Sequence, residues 1–163
     1  MNKKIIYILF FIGAFGFSQE KASLFAGKWD IICTQTHNIY YNTITDSLSY
    51  SDEYRELIPG LIKDYNLKTI DSLNLIVISD NSNNSFEFHE NGKFLRKENG
   101  NIIQKGKYKL KTSKKIIILN YRDRQNKKIK DFMEYSVQDK DLLLKIPFGK
   151  ILRPTYFTLR KKV

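Results

Sequence analysis

The chain has 163 residues, one cysteine and a formal net charge of +11 at pH 7. This length is typical of a single domain with a core of its own, and one cysteine excludes an intramolecular disulfide. The sequence contains neither a phosphate-binding loop nor a Gly-x-Ser-x-Gly turn, which argues against nucleotide-dependent enzymes and α/β-hydrolases.

Residues 1–18 are predicted to form a signal peptide. Two lysines precede an apolar run of about 13 residues, which is too short to span a bilayer. Gly16 and Ser18 place small residues before a cut at Gln19, and no cysteine stands there to carry a lipid. We therefore expect an exported protein, periplasmic or secreted and not lipid-anchored, with a single domain over residues 19–163. An uncleaved membrane anchor is the alternative.

The first strand is predicted over residues 24–35. Along it, Trp29, Ile31 and Cys33 alternate onto one face, which is the pattern of a strand with one buried side. Gly27 allows a bend or a close approach near its start.

Residues 37–72 carry no regular strand pattern. Within them, apolar side chains recur at helical spacing over residues 51–65. Ser49 or Ser51 is expected to cap this helix, and Pro59 is expected to kink or split it.

Two roles are open for this helical insertion. It can cover a ligand as a lid, with Leu57 and Leu61 turned toward the ligand. It can equally plug one end of the fold, because a connection of this length in a small β domain serves either purpose.

From residue 74 onward, short apolar stretches alternate with turns, and Asn91-Gly92 is a strong hairpin signal. The predicted strands cover residues 75–78, 86–89, 94–98, 104–110, 116–122, 129–137, 142–146 and 155–161. With the first strand this gives eight or nine strands. Such a meander favours an all-β, antiparallel up-and-down barrel, because closure removes the exposed edges.

Alternation also predicts which side chains enter the barrel. The main candidates are Trp29, Phe86, Phe88, Tyr108, Met133 and Tyr135. Large residues of this kind either fill a small barrel or contact one ligand inside it, and the sequence leaves both interpretations open. In the second case, the hydroxyl groups of Tyr108 and Tyr135 are expected to orient the ligand.

Three parts of the chain resemble the bacterial lipocalin-like proteins. Gly27-Lys28-Trp29 is similar to the Gly-x-Trp of their first strand, residues 86–94 and 106–110 to a hairpin and a Gly-x-Tyr strand, and residues 135–137, 141–144 and 156–160 to their closing strands. The resemblance implies a barrel that holds a small apolar molecule, with the loop after the first strand over its open end. It also implies an arginine of the last strand packed over Trp29, with Arg160 the first candidate and Arg153 the second.

Charge supports a different hypothesis. Without the two lysines of the signal peptide the formal charge is still +9, and lysines alternate along residues 105–111. A filled barrel with such an outer surface is expected to bind a protein or an anionic component of the cell envelope. Because the chain is predicted to be exported and soluble after cleavage, nucleic acid is not an expected partner.

The sequence offers little chemistry for catalysis. His37 and His89 are isolated from each other and from Cys33, so no metal site is predicted. We also expect no cofactor and no enzymatic activity. The leading hypothesis is a small apolar or amphipathic molecule bound inside the barrel, and the alternative is the basic outer surface.

Overall fold

The computed structural model describes residues 25–147 and 153–162. The predicted signal peptide and part of the bend before the last strand lie outside these residues. The strands are β1 (Gly27–Gln35), β2 (Ile39–Asn42), β3 (Ser47–Tyr50), β4 (Ser85–Phe88), β5 (Lys93–Glu98), β6 (Asn101–Lys111), β7 (Ile116–Arg122), β8 (Lys128–Gln138), β9 (Asp141–Ile146) and β10 (Thr155–Lys161). The helices are α1 (Asp52–Asp64) and α2 (Ile70–Asn81).

Eight of the strands close into an antiparallel barrel, in the order β1, β4, β5, β6, β7, β8, β9, β10, and back to β1. Trp29 on β1 lies opposite Phe86 on β4 and Lys161 on β10, so β1 closes the barrel by pairing with both strands. The predicted all-β barrel with a helical insertion after the first strand is confirmed. Its strands from β4 onward are joined by consecutive hairpin connections, as the meander predicted.

The segment after β1 contains a hairpin that the sequence did not reveal. Strands β2 and β3 pair with each other, and β2 adds to the second half of β1 outside the barrel. Tyr41 is the only residue of the two strands that is buried. A hairpin with a single buried side chain leaves almost no alternating pattern, which explains why residues 37–50 were wrongly predicted to be irregular.

Helix α1 begins where the sequence placed it. The backbone N–H of Tyr54 donates to Ser51 Oγ at 3.2 Å, so Ser51 rather than Ser49 is the N-cap. The predicted split at Pro59 is wrong, because the helix runs through it, and Tyr65 N–H still donates to the carbonyl of Leu61 at 2.9 Å.

Helix α2 replaces a predicted strand. Residues 75–78 are apolar and rich in β-branched side chains, yet they lie in the middle of this helix. Thr69 caps it by accepting from the backbone N–H of Ser72 at 3.3 Å. Short apolar runs do not separate strand from helix by themselves, and here the cap before the run is the deciding local signal.

The alternation of β1 changes at a β-bulge between Ile31 and Cys33. Beyond it Thr34 is buried, whereas Cys33 is only partly buried, so Cys33 does not share the buried face of Trp29 and Ile31 as predicted. Burial nevertheless raises the pKa of the Cys33 thiol.

The barrel has two ends of different composition. At the end where β1 begins, aromatic side chains meet inside, and we call this the aromatic end. At the end where β1 finishes and the chain enters β4 from α2, charged and polar side chains point inward, and we call this the polar end.

Candidate functional site

The residues predicted to line the barrel lie in its interior. Five are buried and one is partly buried against them: Trp29, Phe86, Phe88, Tyr108 and Met133, with Tyr135. They belong to one continuous cluster that also includes side chains from β5, β7, β9 and β10. Their position is as predicted, and their role as ligand contacts stays a prediction.

The aromatic end is tightly packed. The ring of Phe25, just before β1, lies 4.8 Å from that of Phe88 and 5.4 Å from that of Tyr135 between centroids. Trp29 Nε1 donates to the carbonyl of Phe25 at 2.9 Å, which fixes this segment under the barrel. Phe88 and Met133 each keep 1% of their surface accessible, so neither lines a space that would admit water.

The two tyrosines expected to orient a ligand belong to this packed region. The Tyr108 hydroxyl donates to the carbonyl of His89 at 3.2 Å, so its donor is already used by the backbone. Burial raises the pKa of both Tyr108 and Tyr135. The structure therefore favours the filled interpretation at this end of the barrel.

The polar end is organised around an inward-pointing arginine. Arg96 lies opposite Phe86 on β4 and Gln104 on β6, and its guanidinium carbon is 5.6 Å from the centroid of the Phe86 ring. It is also 5.8 Å from the ring of Phe157, which comes from β10. Arg96 thus extends across the interior above the aromatic core, and its Nη2 donates to Glu98 Oε1 at 2.6 Å.

A second polar pair stands beside Arg96. The Tyr121 hydroxyl donates to Asp131 Oδ2 at 2.5 Å. Burial, together with the hydrogen bond and charge of Asp131, raises the pKa of Tyr121 to about 12, while Gln104 and Arg96 act in the opposite direction. Tyr121, Asp131, Gln104 and Arg96 lie close together at the polar end.

The sequence pattern did not reveal this polar group, although a signal was present. Three of its four members stand two residues from a buried apolar position: Arg96 follows Phe94, Tyr121 follows Leu119, and Asp131 precedes Met133. Period-two alternation places residues at this spacing on one strand face regardless of polarity. Extending the inward pattern past the apolar residues would have found them.

One of the two predicted lid residues of the helical insertion is exposed. Leu57 is 58% exposed on α1, and Leu61 is partly buried. The buried side chains of the two helices are Ile58, Leu73 and Val77. The assignment of Leu57 as an inward lid contact is therefore wrong, because Ile58, one residue later, occupies the buried side of the helix.

The arginine expected over Trp29 is replaced by a lysine. Lys161 Nζ lies 5.8 Å from the Trp29 ring centroid, and the Lys161 chain also crosses Gly27, where an added Cβ would stand 2.7 Å from Lys161 Cε. Arg160 points to the outer face, where Nε and Nη2 donate to Asp141 at 2.9 Å each. Side chains alternate along β10, and Lys161 rather than Arg160 has the inward register.

The outer face of β5 to β8 carries a continuous set of exposed cations, here called the basic face. Its members are Lys93, Lys105, Lys107, Lys109, Arg122, Lys128 and Lys130. Lys93 lies directly opposite Lys107, and Arg122 opposite Lys128, so neighbouring strands add to the same surface. Among the described residues, none of the seven forms an ion pair with a carboxylate, although other surface cations do.

A cleft lies within the basic face. The cleft has a volume of about 690 Å³ and is lined by residues of β6, β7 and β8. Five of its lining residues are cations of the basic face, and none is acidic. Lys130 lies 5.6 Å above the Phe132 ring, which adds a half-exposed aromatic surface next to the cleft.

The histidines have local structural contacts. His37 Nε2 lies 3.0 Å from Glu53 Oε2, and its Nδ1 lies 2.5 Å from a guanidinium nitrogen of Arg153. Because arginine can only donate, Nδ1 accepts and Nε2 carries the proton.

In the described part of the chain, no three metal-binding side chains of the His, Cys, Asp and Glu types come together. None of the helices in this part of the chain has the length and apolarity needed to cross a membrane.

The similarity of the chain to known proteins is low. No family model matches the chain, and no curated protein matches it. Among solved structures, the chain is similar to a DUF4847 family protein from Bacteroides vulgatus, with 14% identity and a TM-score of 0.46. The match covers 85% of this chain and 95% of the other.

Proposed function

We propose that the protein is an exported, lipocalin-like barrel that binds an anionic polymer of the cell envelope through its basic face. The observation that carries the proposal is the set of seven neighbouring cations without carboxylate partners among the described residues. Export is inferred from residues 1–18 and places the barrel next to envelope polymers rather than nucleic acid. The proposal assigns binding and no catalysis.

The spacing of these cations suits a chain with repeated charges. Neighbouring strands stand about 4.8 Å apart, and alternate residues along one strand about 6.8 Å apart. Lys105 and Lys107 on β6 and Lys128 and Lys130 on β8 therefore form a grid around the cleft. Several weak ion contacts to one polymer add together, whereas each contact alone contributes little at an exposed surface.

The direct test is binding to polygalacturonate, with neutral dextran as the reference polymer. The test compares wild type with a variant in which four lysines of the basic face are changed to glutamine, namely Lys105, Lys107, Lys128 and Lys130. We expect wild type to bind the acidic polymer in a salt-sensitive manner, because salt screens the attraction between exposed charges. The variant is expected to bind the polymer at least about tenfold more weakly.

A matched variant separates position from total charge. It changes four exposed lysines elsewhere to glutamine, namely Lys63, Lys68, Lys140 and Lys162. This protein has the same net charge as the first variant and is expected to bind almost as wild type. Equal losses in both variants would show that net charge, and not the basic face, is responsible, and would contradict the proposal.

A small amphipathic ligand inside the barrel is the second candidate function. The observation that favours it is the inward polar group at Arg96, because a barrel used only as a scaffold has no need for such residues. Packing at the aromatic end restricts a ligand to the polar end. Native mass spectrometry of protein purified from its own host tests this: a stoichiometric small adduct supports the candidate, and a clean apo mass without uptake of apolar probes contradicts it.

A further inference from the structure

Among the residues that the structure describes, no group accepts a hydrogen bond from the buried Nε of Arg96. The Nη2 of the same side chain donates to Glu98 Oε1 at 2.6 Å. A buried donor on a charged group without an acceptor costs stability, so natural proteins rarely keep one without a purpose. Of the neighbouring polar side chains, Tyr121 and Asp131 are hydrogen-bonded to each other.

The unused donor stands on a definite edge of the guanidinium. Nε–H and one Nη2–H of arginine point in parallel, and this edge is the one that holds a carboxylate through two hydrogen bonds. Glu98 occupies only the Nη2 side, because it approaches from two residues further along the same strand. Arg96 therefore presents a two-donor edge of which one half is filled.

The surroundings limit what can reach this edge. On one side the rings of Phe86 and Phe157 cover the guanidinium, and Phe86 has no accessible surface. On the other side 41% of the Glu98 side chain and 21% of that of Arg96 remain accessible, so the pair borders solvent at the polar end, although Arg96 Nε itself is buried. A ligand at this edge requires Glu98, which is partly exposed, to turn outward to water.

We propose that the polar end binds a small monocarboxylate, whose two oxygens accept from Arg96 Nε and Nη2 in place of Glu98. The apolar part of such a ligand is short, since the described side chains of the aromatic end are packed against one another. Gln104 lies opposite Arg96 and supplies an amide beside the bound carboxylate. This inference rests on the second candidate function and is independent of the basic face.

Two substitutions are expected to act in opposite directions. With benzoate and indole-3-carboxylate as probes, calorimetry is expected to give dissociation constants below about 1 mM for wild type. Arg96→Gln removes the two-donor edge and is expected to weaken binding by about tenfold or more. Glu98→Gln removes the competing carboxylate and is expected to strengthen binding by up to about tenfold.

Matched surface variants provide the controls. Arg160→Gln and Glu134→Gln break ion pairs on the outer face and are expected to leave binding unchanged. Arg96→Lys keeps the charge but loses the planar edge, so it should bind nearly as poorly as Arg96→Gln. If Arg96 variants fail to fold, the strengthening by Glu98→Gln still decides the proposal, because a purely structural Arg96–Glu98 pair predicts no gain.

The outcomes separate this inference from the second candidate function. Uptake of neutral benzamide as strongly as benzoate, or no gain with Glu98→Gln, overturns the carboxylate site while a barrel ligand remains supported. Absence of binding for every small probe, with a clean apo mass, overturns both. Preference for palmitate over benzoate contradicts the size limit and hence the proposal.

Discussion

The aromatic end and the polar end of the barrel are built from the same eight strands but enclose different kinds of side chain. At the aromatic end, Phe25, Phe88 and Tyr108 pack ring against ring, with centroids 4.8 to 6.4 Å apart. At the polar end, Arg96 and Asp131 point into the same interior and bond to neighbouring side chains. We therefore expect substitutions at the aromatic end to lower the free energy of unfolding more than substitutions at the polar end.

The same division separates the inside of the sheet from its outside. On β6, Tyr108 points inward and is buried, while Lys107 and Lys109 on either side are exposed. The strand therefore contributes to the core and to the basic face at once. Substitutions that alter one face of the sheet and leave the other face unchanged test this division.

The largest effect is expected for Phe88→Ala. Truncating this buried ring leaves a cavity at the aromatic end and should lower the free energy of unfolding by about 3–5 kcal/mol. Phe132→Ala removes the same side chain from the outer face, where it is 47% exposed, and should cost much less. Chemical denaturation measures both, and similar losses would show that the aromatic end is not specially packed.

A smaller loss is expected for Gly106→Ala. An added Cβ would lie 2.2 Å from the backbone oxygen of Asn120 and 3.0 Å from Phe94, so β6 and β7 must separate. Such overpacking typically costs about 1–3 kcal/mol.

Gly60→Ala is the matched control for this change. Nothing lies within 4 Å of the added Cβ, and the position is in helix α1, so it should raise stability by up to about 1 kcal/mol. Opposite signs in thermal unfolding are the expected result. A loss at both positions would contradict the account of the β6–β7 contact.

At the polar end, alkaline titration should detect one unusual tyrosine. The pKa of Tyr121 is about 12 in the folded protein against an ordinary value of 10, so its stabilising contribution is present below pH 10 and is lost as the pH rises through 12. Asp131→Asn should lower this pKa but leave it above 10, because burial remains. The absorbance of tyrosinate follows the titration, and Tyr121→Phe should remove this step; an unchanged curve in both variants would contradict the assignment.

The smallest effect is expected on the outer face, at the Arg160–Asp141 pair. The hydrogen bond from Arg160 lowers the pKa of Asp141 below its ordinary 3.8. Its contribution to stability is therefore present above pH 3.8 and is lost as the pH falls through the lowered pKa. Wild type and Asp141→Asn should differ slightly in melting temperature at neutral pH and converge in acid, and a difference that grows in acid would contradict this.

Period-two alternation of apolar and polar residues was sufficient to predict the barrel strands from the sequence. From β4 onward the buried apolar residues recur on one face of each strand, so Phe86 and Phe88 or Tyr108 and Leu110 identify the inner surface from sequence. The pattern failed where one side of a segment does not face a core. Strands β2 and β3 lie outside the barrel, and α2 exposes Leu75 to 68%, so neither has an ordinary alternation of buried and exposed residues.

The candidate sites were predicted unevenly for the same reason. The alternation of lysines along β6 predicted that they lie on the outer face of that strand. The sequence did not show that the cations of β7 and β8 continue the same surface, because this depends on the register between residues that are distant in sequence. Arg96 was not predicted to point inward because charged residues usually lie on the exposed face of a strand. Lys161 was missed because the choice between it and Arg160 depends on one residue of register.

The most direct test of the central claim is lysine footprinting by acetylation and mass spectrometry, with and without polygalacturonate. The account predicts that the polymer slows acetylation of Lys105, Lys107, Lys128 and Lys130 while Lys63 and Lys68 on and beside α1 react as before. Uniform protection of all these lysines, or protection confined to the helical segment, would contradict the assignment of binding to the basic face.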